Sequence, residues 1–462
     1  MKNLKVVIIG AGSASFGQGM LADLLSSEEL TELKLEIVLV DIDEKSLNRM
    51  LKLANMIKDH YRSKATISAT TDRAKVLPGA NYVVVSVAKN RWDLWEKDFY
   101  IPASYGFNQI FGENGGPGGA FHTLRSLNLM IPIAKDVEKY CADALLMNFS
   151  NPESRICLGI NKLTNIKAVG LCHGPIETLN LISEILKKPA NEIKLTVGGL
   201  NHFHWALEIK DIKTGEDLYP YLDKEIDSFD WQADKLTPEL YKLFGLITYP
   251  APSHPGEYLS FAHSFAGPHF IYWGIGKVSR ALNAKESDLN YVYEWQNGRP
   301  SYELWSTGQV ERIDKVIEGK VSLTNKDPMF NSRLIDKTIE VAVPIICDIE
   351  FNRARVEIAG NVGNTGYAIS NLPEDAIVEV PLFVNSNGIK PVKVGALPEA
   401  IKGLCEIQLS IQNLIVEAYI KKSKKILLQA LVIDPIVNDL QRAKEMMETM
   451  INAEKDFLPE LY

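Results

Sequence analysis

The first forty-one residues place the strongest constraint on the fold of this chain. A short apolar run at residues 6–9 is mostly β-branched, and Gly10-Ala11-Gly12-Ser13 interrupts it. A helical spacing of apolar residues follows at 20–25, and a second apolar run at 37–40 ends in Asp41. This order of strand, glycine turn, helix, strand and acid is typical of a dinucleotide-binding unit.

Each part of this unit has a physical role. Gly10 allows the tight turn, Gly12 lets backbone N–H groups approach a pyrophosphate, and the helix N-terminus supplies partial positive charge. The Asp41 carboxylate suits ribose hydroxyls and repels the extra phosphate of NADP, which favours NAD. The unit departs from the usual pattern because Ser15 occupies the third glycine position. The predicted NAD contacts are Gly10, Gly12, Ser13 and Asp41.

Composition indicates a globular protein and excludes some partners. The chain has 462 residues, of which 46% are hydrophobic and 23% are charged, with a formal net charge of −8. These values argue against nucleic acid or an anionic membrane as the main partner. The five cysteines are sparse and odd in number, which predicts reduced thiols and a cytoplasmic location. We also expect a homodimer or homotetramer.

Alternating apolar segments predict an α/β fold in the first part of the chain. Residues 82–87, 144–149 and 166–171 have the pattern of buried strands, and residues 124–140 have helical periodicity between them. We therefore predict a Rossmann-like, doubly wound, mostly parallel sheet over residues 1–200. Ligands of such sheets bind beyond the carboxyl ends of the strands.

The pattern changes beyond residue 200. Aromatic and Gly/Pro-rich stretches appear at 249–258 and 291–305, followed by a strand-like segment at 339–343. Helical patterning runs from 399 to 455. We predict a second, α+β domain over residues 201–462, packed against the first, for the substrate, the metal and oligomerisation.

Two segments hold side chains that suit a metal. Cys172-His173-Gly174 follows a predicted strand, and Asn201-His202 comes about thirty residues later. A thiolate and an imidazole together hold a borderline divalent metal, with substrate oxygens completing the shell. The alternative is structural, since a lone buried cysteine is usually a small hydrophobe and His202 or His204 also fits a hydrogen-bonded core position.

Three further segments are open to a functional or a structural interpretation. The glycine-dense loop 111–119 either needs unusual backbone angles or presents Glu113 to a ligand, before a helix near Ala120. Asn151-Pro152 fits a polar group at the sheet edge or an ordinary turn. Tyr258 serves as a base only where a cation lowers its pKa, and is otherwise a packed aromatic residue.

Taken together, these motifs resemble glycoside hydrolase family 4, the NAD- and divalent-metal-dependent glycosidases. The resemblance covers most of the chain and includes a long signature within residues 356–380. The other matching segments are the glycine turn, Glu113 to Gly119, Asn151-Pro152, Cys172-His173-Gly174, Asn201-His202 and Gly256-Glu257-Tyr258.

The resemblance implies a redox-assisted hydrolysis. In that family NAD⁺ takes a hydride from C3 of the sugar, and the resulting ketone acidifies the proton on C2. A base removes that proton, the C1 leaving group departs, water adds and the hydride returns. The family is an exception to two-carboxylate glycoside hydrolysis.

The resemblance also implies residue roles. Cys172 and His202 match the metal ligands, for which Mn²⁺ is expected, and Asn151 matches a residue that holds sugar hydroxyls. His173 stands where some members carry an acid that protonates the leaving group. Glu113 matches a carboxylate that raises the basicity of the catalytic tyrosine. Tyr258 is the predicted C2 base, and His254, Glu257 and Tyr249 remain open as alternatives.

The substrate is expected to be an unphosphorylated α-glycoside. The Cys172-His173-Gly174 triplet resembles members such as α-glucosidases and α-glucuronidases, and Trp95 aligns with an arginine that 6-phosphoglycosidases offer to the phosphate. If the substrate is a uronide, Arg91 or Lys89 is expected to pair with its carboxylate. The alternative function is an NAD-dependent 2-hydroxyacid dehydrogenase of the lactate/malate type, which shares the cofactor domain.

Overall fold

A computed structural model describes residues 2–231, 234–266 and 302–462. Residues 291–301 of the predicted aromatic stretch therefore lie outside the described residues. Within these ranges eleven strands form a single sheet. The strands are β1 (Asn3–Ile9), β2 (Lys34–Val40), β3 (Thr66–Thr70), β4 (Tyr82–Val85), β5 (Leu145–Asn148), β6 (Lys167–Gly170), β7 (Ile193–Leu200), β8 (Phe203–Asp211), β9 (Arg355–Gly363), β10 (Ile377–Asn385) and β11 (Gly388–Pro391).

The α-helices of the described ranges cover the sheet and form the C-terminal part of the chain. They are α1 (Phe16–Ser26), α2 (Glu44–Tyr61), α3 (Arg91–Ser104), α4 (Gly116–Tyr140), α5 (Glu153–Leu163), α6 (Gly174–Leu186), α7 (Tyr219–Glu225), α8 (Leu236–Phe244), α9 (His263–Ala266), α10 (Tyr302–Ile317), α11 (Ala342–Glu350), α12 (Glu399–Lys421), α13 (Lys424–Val432) and α14 (Leu440–Glu454). No helix in these ranges is both long enough and apolar enough to cross a bilayer.

The first six strands are parallel and have the order β3-β2-β1-β4-β5-β6. This is the strand order of a dinucleotide-binding sheet, and it confirms the predicted Rossmann-like fold. The chain order reverses at β1, between β2 and β4, so a crevice opens beyond the carboxyl ends of these strands. The glycine turn follows β1 directly at this crevice.

Alternation along β1 explains why both faces of the sheet need helices. Val6 and Ile8 pack into one hydrophobic cluster, whereas Val7 and Ile9 pack into another. Successive side chains of a strand point to opposite faces, so a run that is apolar at every position is buried on both. The predicted helix at 399–455 is present as three helices, α12 to α14.

Strands from the second half of the chain extend the same sheet. Strand β9 pairs antiparallel with β6 through Gly170 and Asn361, and β10 pairs antiparallel with β9 and β7. The two predicted domains therefore share one continuous sheet. The boundary at residue 200 stays a prediction.

Two local predictions are wrong. Residues 339–343 were expected to form a strand, but α11 begins at Ala342, and Ala342, Ile345 and Ile346 are buried at helical spacing. The short apolar alternation at 339–343 fits the period of a strand or of a helix, and the apolar residues that follow it have helical spacing. The helix after the glycine loop begins at Gly116 rather than near Ala120.

Candidate active site

The glycine turn is held tightly between the ends of β2 and β4. The backbone N–H groups of Gly10 and Ala11 donate to the carbonyl of Val40 at 2.9 and 3.1 Å. Gly10 has φ +85°, and a Cβ atom there would lie 1.9 Å from the carbonyl oxygen of Ser86. A side chain would collide with this carbonyl, so only glycine fits this position and permits the tight turn.

The turn forms a cradle that fits a dinucleotide. The N–H of Gly12 donates to Oδ2 of Asp41 at 2.8 Å, and Ser13 Oγ accepts from the N–H of Phe16 at 3.2 Å. A Cβ atom on Gly12 would lie 2.7 Å from Asp41 Oδ2. The N-terminus of α1 therefore faces the crevice. The free N–H groups and the positive end of the helix dipole favour the binding of a phosphate there.

One cavity of about 1380 Å³ extends from this cradle to the ends of β5 and β6. It brings together most of the residues that the sequence singled out. Those that line it are Gly10, Ser13, Asp41, Lys89, Arg91, Trp95, Glu113, Asn151, Cys172, His173, His202, Tyr249 and His254. Gly12 and Tyr258 are not among the described lining residues.

Cys172 and His202 enter the cavity from different turns. Cys172 is half-buried after β6, and its Sγ accepts from the N–H of Gly174 at 3.4 Å. His202 is buried in the turn between β7 and β8, with φ +61°. Burial lowers the pKa of His202 well below its usual value, and the neighbouring His254 lowers it further. The imidazole is therefore neutral, which is the form that binds a metal.

The two side chains fit a divalent cation as a partial ligand set. A thiol and a neutral imidazole are the donors that a borderline metal takes. Among the described residues, no three His, Cys, Asp or Glu side chains are arranged to hold a metal together. The remaining donors would have to come from water or from substrate oxygens, as an open catalytic site requires.

Glu113 lies at the centre of a polar cluster on the glycine loop. Its Oε1 accepts from Arg91 Nη2 at 3.1 Å, and its Oε2 accepts from Asn114 Nδ2 at 3.3 Å. Burial raises the pKa of Glu113, while Arg91 and Asn151 oppose that rise. The Arg91 guanidinium also lies 5.3 Å from the ring centres of Trp92 and Trp95. The structure thus pairs Arg91 with a protein carboxylate beside the cavity.

The glycine loop also contacts the predicted metal ligand. Asn114 Nδ2 lies 3.0 Å from His202 Nδ1, and the N–H of Asn114 donates to Glu257 Oε1 at 2.9 Å. Sequence reasoning missed Asn114, although its place beside Glu113 in the glycine loop was a usable signal. Glu257 is buried against this loop, where burial and Glu113 raise its pKa to about 8.

Tyr258, the predicted base, lies in the core and not among the described residues that line the cavity. Its hydroxyl donates to the carbonyl of Asn201 at 3.3 Å, and its ring packs 5.1 Å from Phe203 in the core. Tyr249, one of the open alternatives, lines the cavity with its ring centre 5.6 Å from that of His202. Tyr258 instead belongs to the hydrophobic core cluster that contains Phe203.

His173 faces two acids that sequence reasoning did not connect with it. Its Nδ1 lies 3.1 Å from Glu340 Oε1, and its Nε2 lies 3.7 Å from Glu177 Oε1. Burial lowers the pKa of His173, but these carboxylates outweigh it, so the net direction is upward. Glu177 is four residues along α6, a spacing visible in the sequence, whereas Glu340 arrives from 167 residues away.

The fold and the cavity define an α/β protein of the dinucleotide-binding type, with a thiol–imidazole pair at the far end of the nucleotide crevice. Two sequence models match the chain: "Family 4 glycosyl hydrolase" over residues 5–188 and "Family 4 glycosyl hydrolase C-terminal domain" over residues 197–437. The chain belongs to family 4 of the glycosyl hydrolases. These matches do not favour the 2-hydroxyacid dehydrogenase alternative.

Relatives support this assignment, and a solved structure has a similar fold. The chain is 30% identical to an α-glucosidase of Erwinia rhapontici, covering 98% of each chain. It is 29% identical to an α-galactosidase of Bacillus subtilis strain 168, covering 99% of each chain. Its fold is similar to the crystal structure of a 6-phospho-α-glucosidase from gut microorganisms in complex with NAD and Mn²⁺. That match has a TM-score of 0.79 and 23% identity, and covers all of both chains.

Proposed function

We propose that this chain hydrolyses an unphosphorylated α-glycoside with the help of NAD and a divalent cation, Mn²⁺. One observation carries the proposal: the dinucleotide cradle and the pair Cys172 and His202 line the same cavity. When bound, NAD supplies a reversible hydride acceptor, and the cation supplies a Lewis acid. The solved relative that contains NAD and Mn²⁺ supports this choice of cofactors.

The residues at the cradle would hold the dinucleotide. Gly10, Gly12 and Ser13 present the turn and the N-terminus of α1 to the pyrophosphate. The Asp41 carboxylate would accept from the ribose hydroxyls while it keeps the bond from the N–H of Gly12, because a carboxylate has further acceptor sites. Its negative charge favours NAD over NADP.

The residues at the far end would hold and orient the sugar. Cys172 and His202 would bind the cation, and Asn151 would contact sugar hydroxyls from the end of β5. Tyr249 takes the place of Tyr258 as the base that removes the C2 proton, since it lies at the cavity surface beside His202. His173, which contacts Glu340, would assist the departure of the leaving group. Glu113 would act from its position in the glycine loop, where it accepts a hydrogen bond from Arg91.

The choice of an unphosphorylated sugar rests on Trp95. Its ring is buried, and its Nε1 donates to the carbonyl of Phe111 at 3.0 Å, so it offers the cavity an apolar face. Both curated relatives described above bear names of α-glycosidases without a phosphate. Arg91 and Lys89 line the cavity nearby and would suit a uronide carboxylate.

A panel of nitrophenyl glycosides tests the proposal. It contains α- and β-glucosides, galactosides and glucuronides, each with and without a 6-phosphate where the sugar allows one. Release of nitrophenol is measured with and without NAD⁺ and Mn²⁺. We expect cleavage of an unphosphorylated α-glycoside that requires both additions and accumulates no NADH. Cleavage of phosphorylated sugars alone, or activity without NAD⁺, contradicts the proposal.

A further inference from the structure

Glu153 is a buried carboxylate in the cavity wall without a partner among the described residues. It is the first residue of α5, and only 2% of its surface is exposed. Its Oε1 receives no hydrogen bond, and none of the described ion pairs involves it. A buried polar atom without a partner is rare in native proteins and calls for an explanation such as an ion.

The surroundings of Glu153 are acidic. Glu379 and Glu340 are its charged neighbours, and both add to the effect of burial, which raises the pKa of Glu153. Those two carboxylates have partners of their own, since Glu379 accepts from Asn361 Nδ2 at 3.2 Å and Glu340 contacts His173. Glu153 is therefore the carboxyl group of the three with the fewest compensating contacts among the described residues.

Glu153 also lies next to the end of β6 that carries Cys172. A Cβ atom on Gly170 would lie 2.6 Å from Glu153 Oε1. Gly170 precedes Cys172 by two residues, and both Glu153 and Cys172 line the cavity.

We propose that Glu153 is the charge-compensating carboxylate of the cation site, acting from outside the coordination shell of a divalent ion held by Cys172 and His202. The inference rests on the proposed function. A direct bond is not assigned, because no three such side chains of the described residues are arranged to hold a metal. A cation at Cys172 relieves the mutual repulsion of Glu153, Glu379 and Glu340, and their charge in turn retains the cation.

Direct measurement of Mn²⁺ binding tests this role without any glycoside. The free Mn²⁺ signal is followed by electron paramagnetic resonance during titration of metal-free protein in saturating NAD⁺. We expect Glu153→Gln to weaken Mn²⁺ binding about tenfold or more, as losses of outer-shell partners do. NAD⁺ affinity, measured by fluorescence, is expected to stay within twofold.

Asp234→Asn is the matched control. Asp234 lines the same cavity, but its Oδ1 accepts from the N–H groups of Leu236 and Thr237, each at 3.0 Å, and an asparagine retains that acceptor. We expect its Mn²⁺ affinity to stay within twofold of the wild type. An equal loss in both variants would show a non-specific charge effect and overturn the proposal.

The other possible results of these measurements also test the role of Glu153. Equal Mn²⁺ affinity of Glu153→Gln and the wild type overturns the role of Glu153 and leaves the proposed function intact. Wild-type protein that does not bind Mn²⁺ overturns both. Without metal, Glu153→Gln is expected to melt at or above the wild-type temperature, because it removes a buried carboxyl group whose Oε1 has no partner. A lower melting temperature would show that the carboxylate is structural, and would overturn the proposal.

Discussion

The N–H of Gly12 donates a 2.8 Å hydrogen bond to Oδ2 of Asp41 across 29 residues of sequence. This bond joins the glycine turn after β1 to the acid after β2, the two parts of the fingerprint from which the fold was predicted. The acid lies farther along the chain than about twenty residues, yet it reaches the turn because β1 and β2 pair in parallel from Asn3 with Lys34 to Ile9 with Val40.

Gly12→Ala is expected to weaken NAD⁺ binding at least tenfold. The new Cβ would lie 2.7 Å from Asp41 Oδ2 and 2.9 Å from Ser46 Cβ, so the acid must move from the turn. Gly403→Ala is the control, because no other atom lies within 4 Å of a Cβ there. NAD⁺ titration by fluorescence measures both. Equal affinity of the two variants would contradict the proposed cradle.

Cys172→Ser is expected to reduce hydrolysis more than a hundredfold and to weaken Mn²⁺ binding. The hydroxyl is a harder and less readily ionised donor than the thiol, so the cation loses one of two protein ligands. Cys141→Ser changes a half-buried cysteine that is not among the described cavity residues, and is expected to be active. Full activity of wild-type protein after thorough chelation would refute the metal role.

Tyr249→Phe and Tyr258→Phe separate the two candidate bases. Removing a catalytic base typically costs 10² to 10⁴ in rate, so kcat of Tyr249→Phe should fall by about that factor. Tyr258→Phe loses one buried hydrogen bond to Asn201 and should cost about 1 kcal/mol of stability, with kcat within threefold. Steady-state kinetics and urea unfolding measure both effects. The reverse pattern would restore Tyr258 as the base.

Stability should fall with rising pH because of Glu454. Arg125 binds both Asp98 and Glu454 in the interior, and burial together with Asp98 raises the pKa of Glu454 to about 9 from an ordinary 4.5. The folded protein therefore keeps a proton that the unfolded chain releases. This contribution is complete below pH 4.5 and is lost as pH rises to about 9, by up to about 1.4 kcal/mol per pH unit.

Urea unfolding at several pH values between 6 and 9 measures this contribution. Glu454→Gln carries no titrating group at this position, so its free energy of unfolding should depend less steeply on pH than that of the wild type. Parallel pH dependences of the two proteins would show that Glu454 does not hold the proton.

The cofactor half of the site was predictable because its parts are local. Gly10, Gly12 and Asp41 follow strands whose apolar pattern is visible, and parallel pairing brings the ends of those strands together. The placement of Cys172 and His202 at the cavity was predictable, since each follows a strand in the sequence, whereas their role as metal ligands stays a prediction. The cytoplasmic location, the oligomeric state and the domain boundary stay predictions.

The rest of the site depends on tertiary contacts, which leave no local pattern in the sequence. Glu340 reaches His173 from a segment that was expected to be a strand. Glu153 was not recognised, because an acid in the first turn of a helix is ordinary and only its buried, unpartnered state is unusual. The sequence favoured Tyr258 and left Tyr249 as an alternative, and only the packing of these rings against Phe203 and His202 distinguishes their positions.

Hydrolysis in D₂O tests the central claim, that the nicotinamide and the cation act on the same sugar carbons. The released sugar is isolated after brief reaction, and deuterium at C2 is measured by NMR against a control sample of that sugar kept in the same buffer. Removal and return of the C2 proton predicts a deuteron at C2 of the enzymatic product. Full retention of protium at C2, together with no isotope effect for a C2-deuterated substrate, would contradict the account.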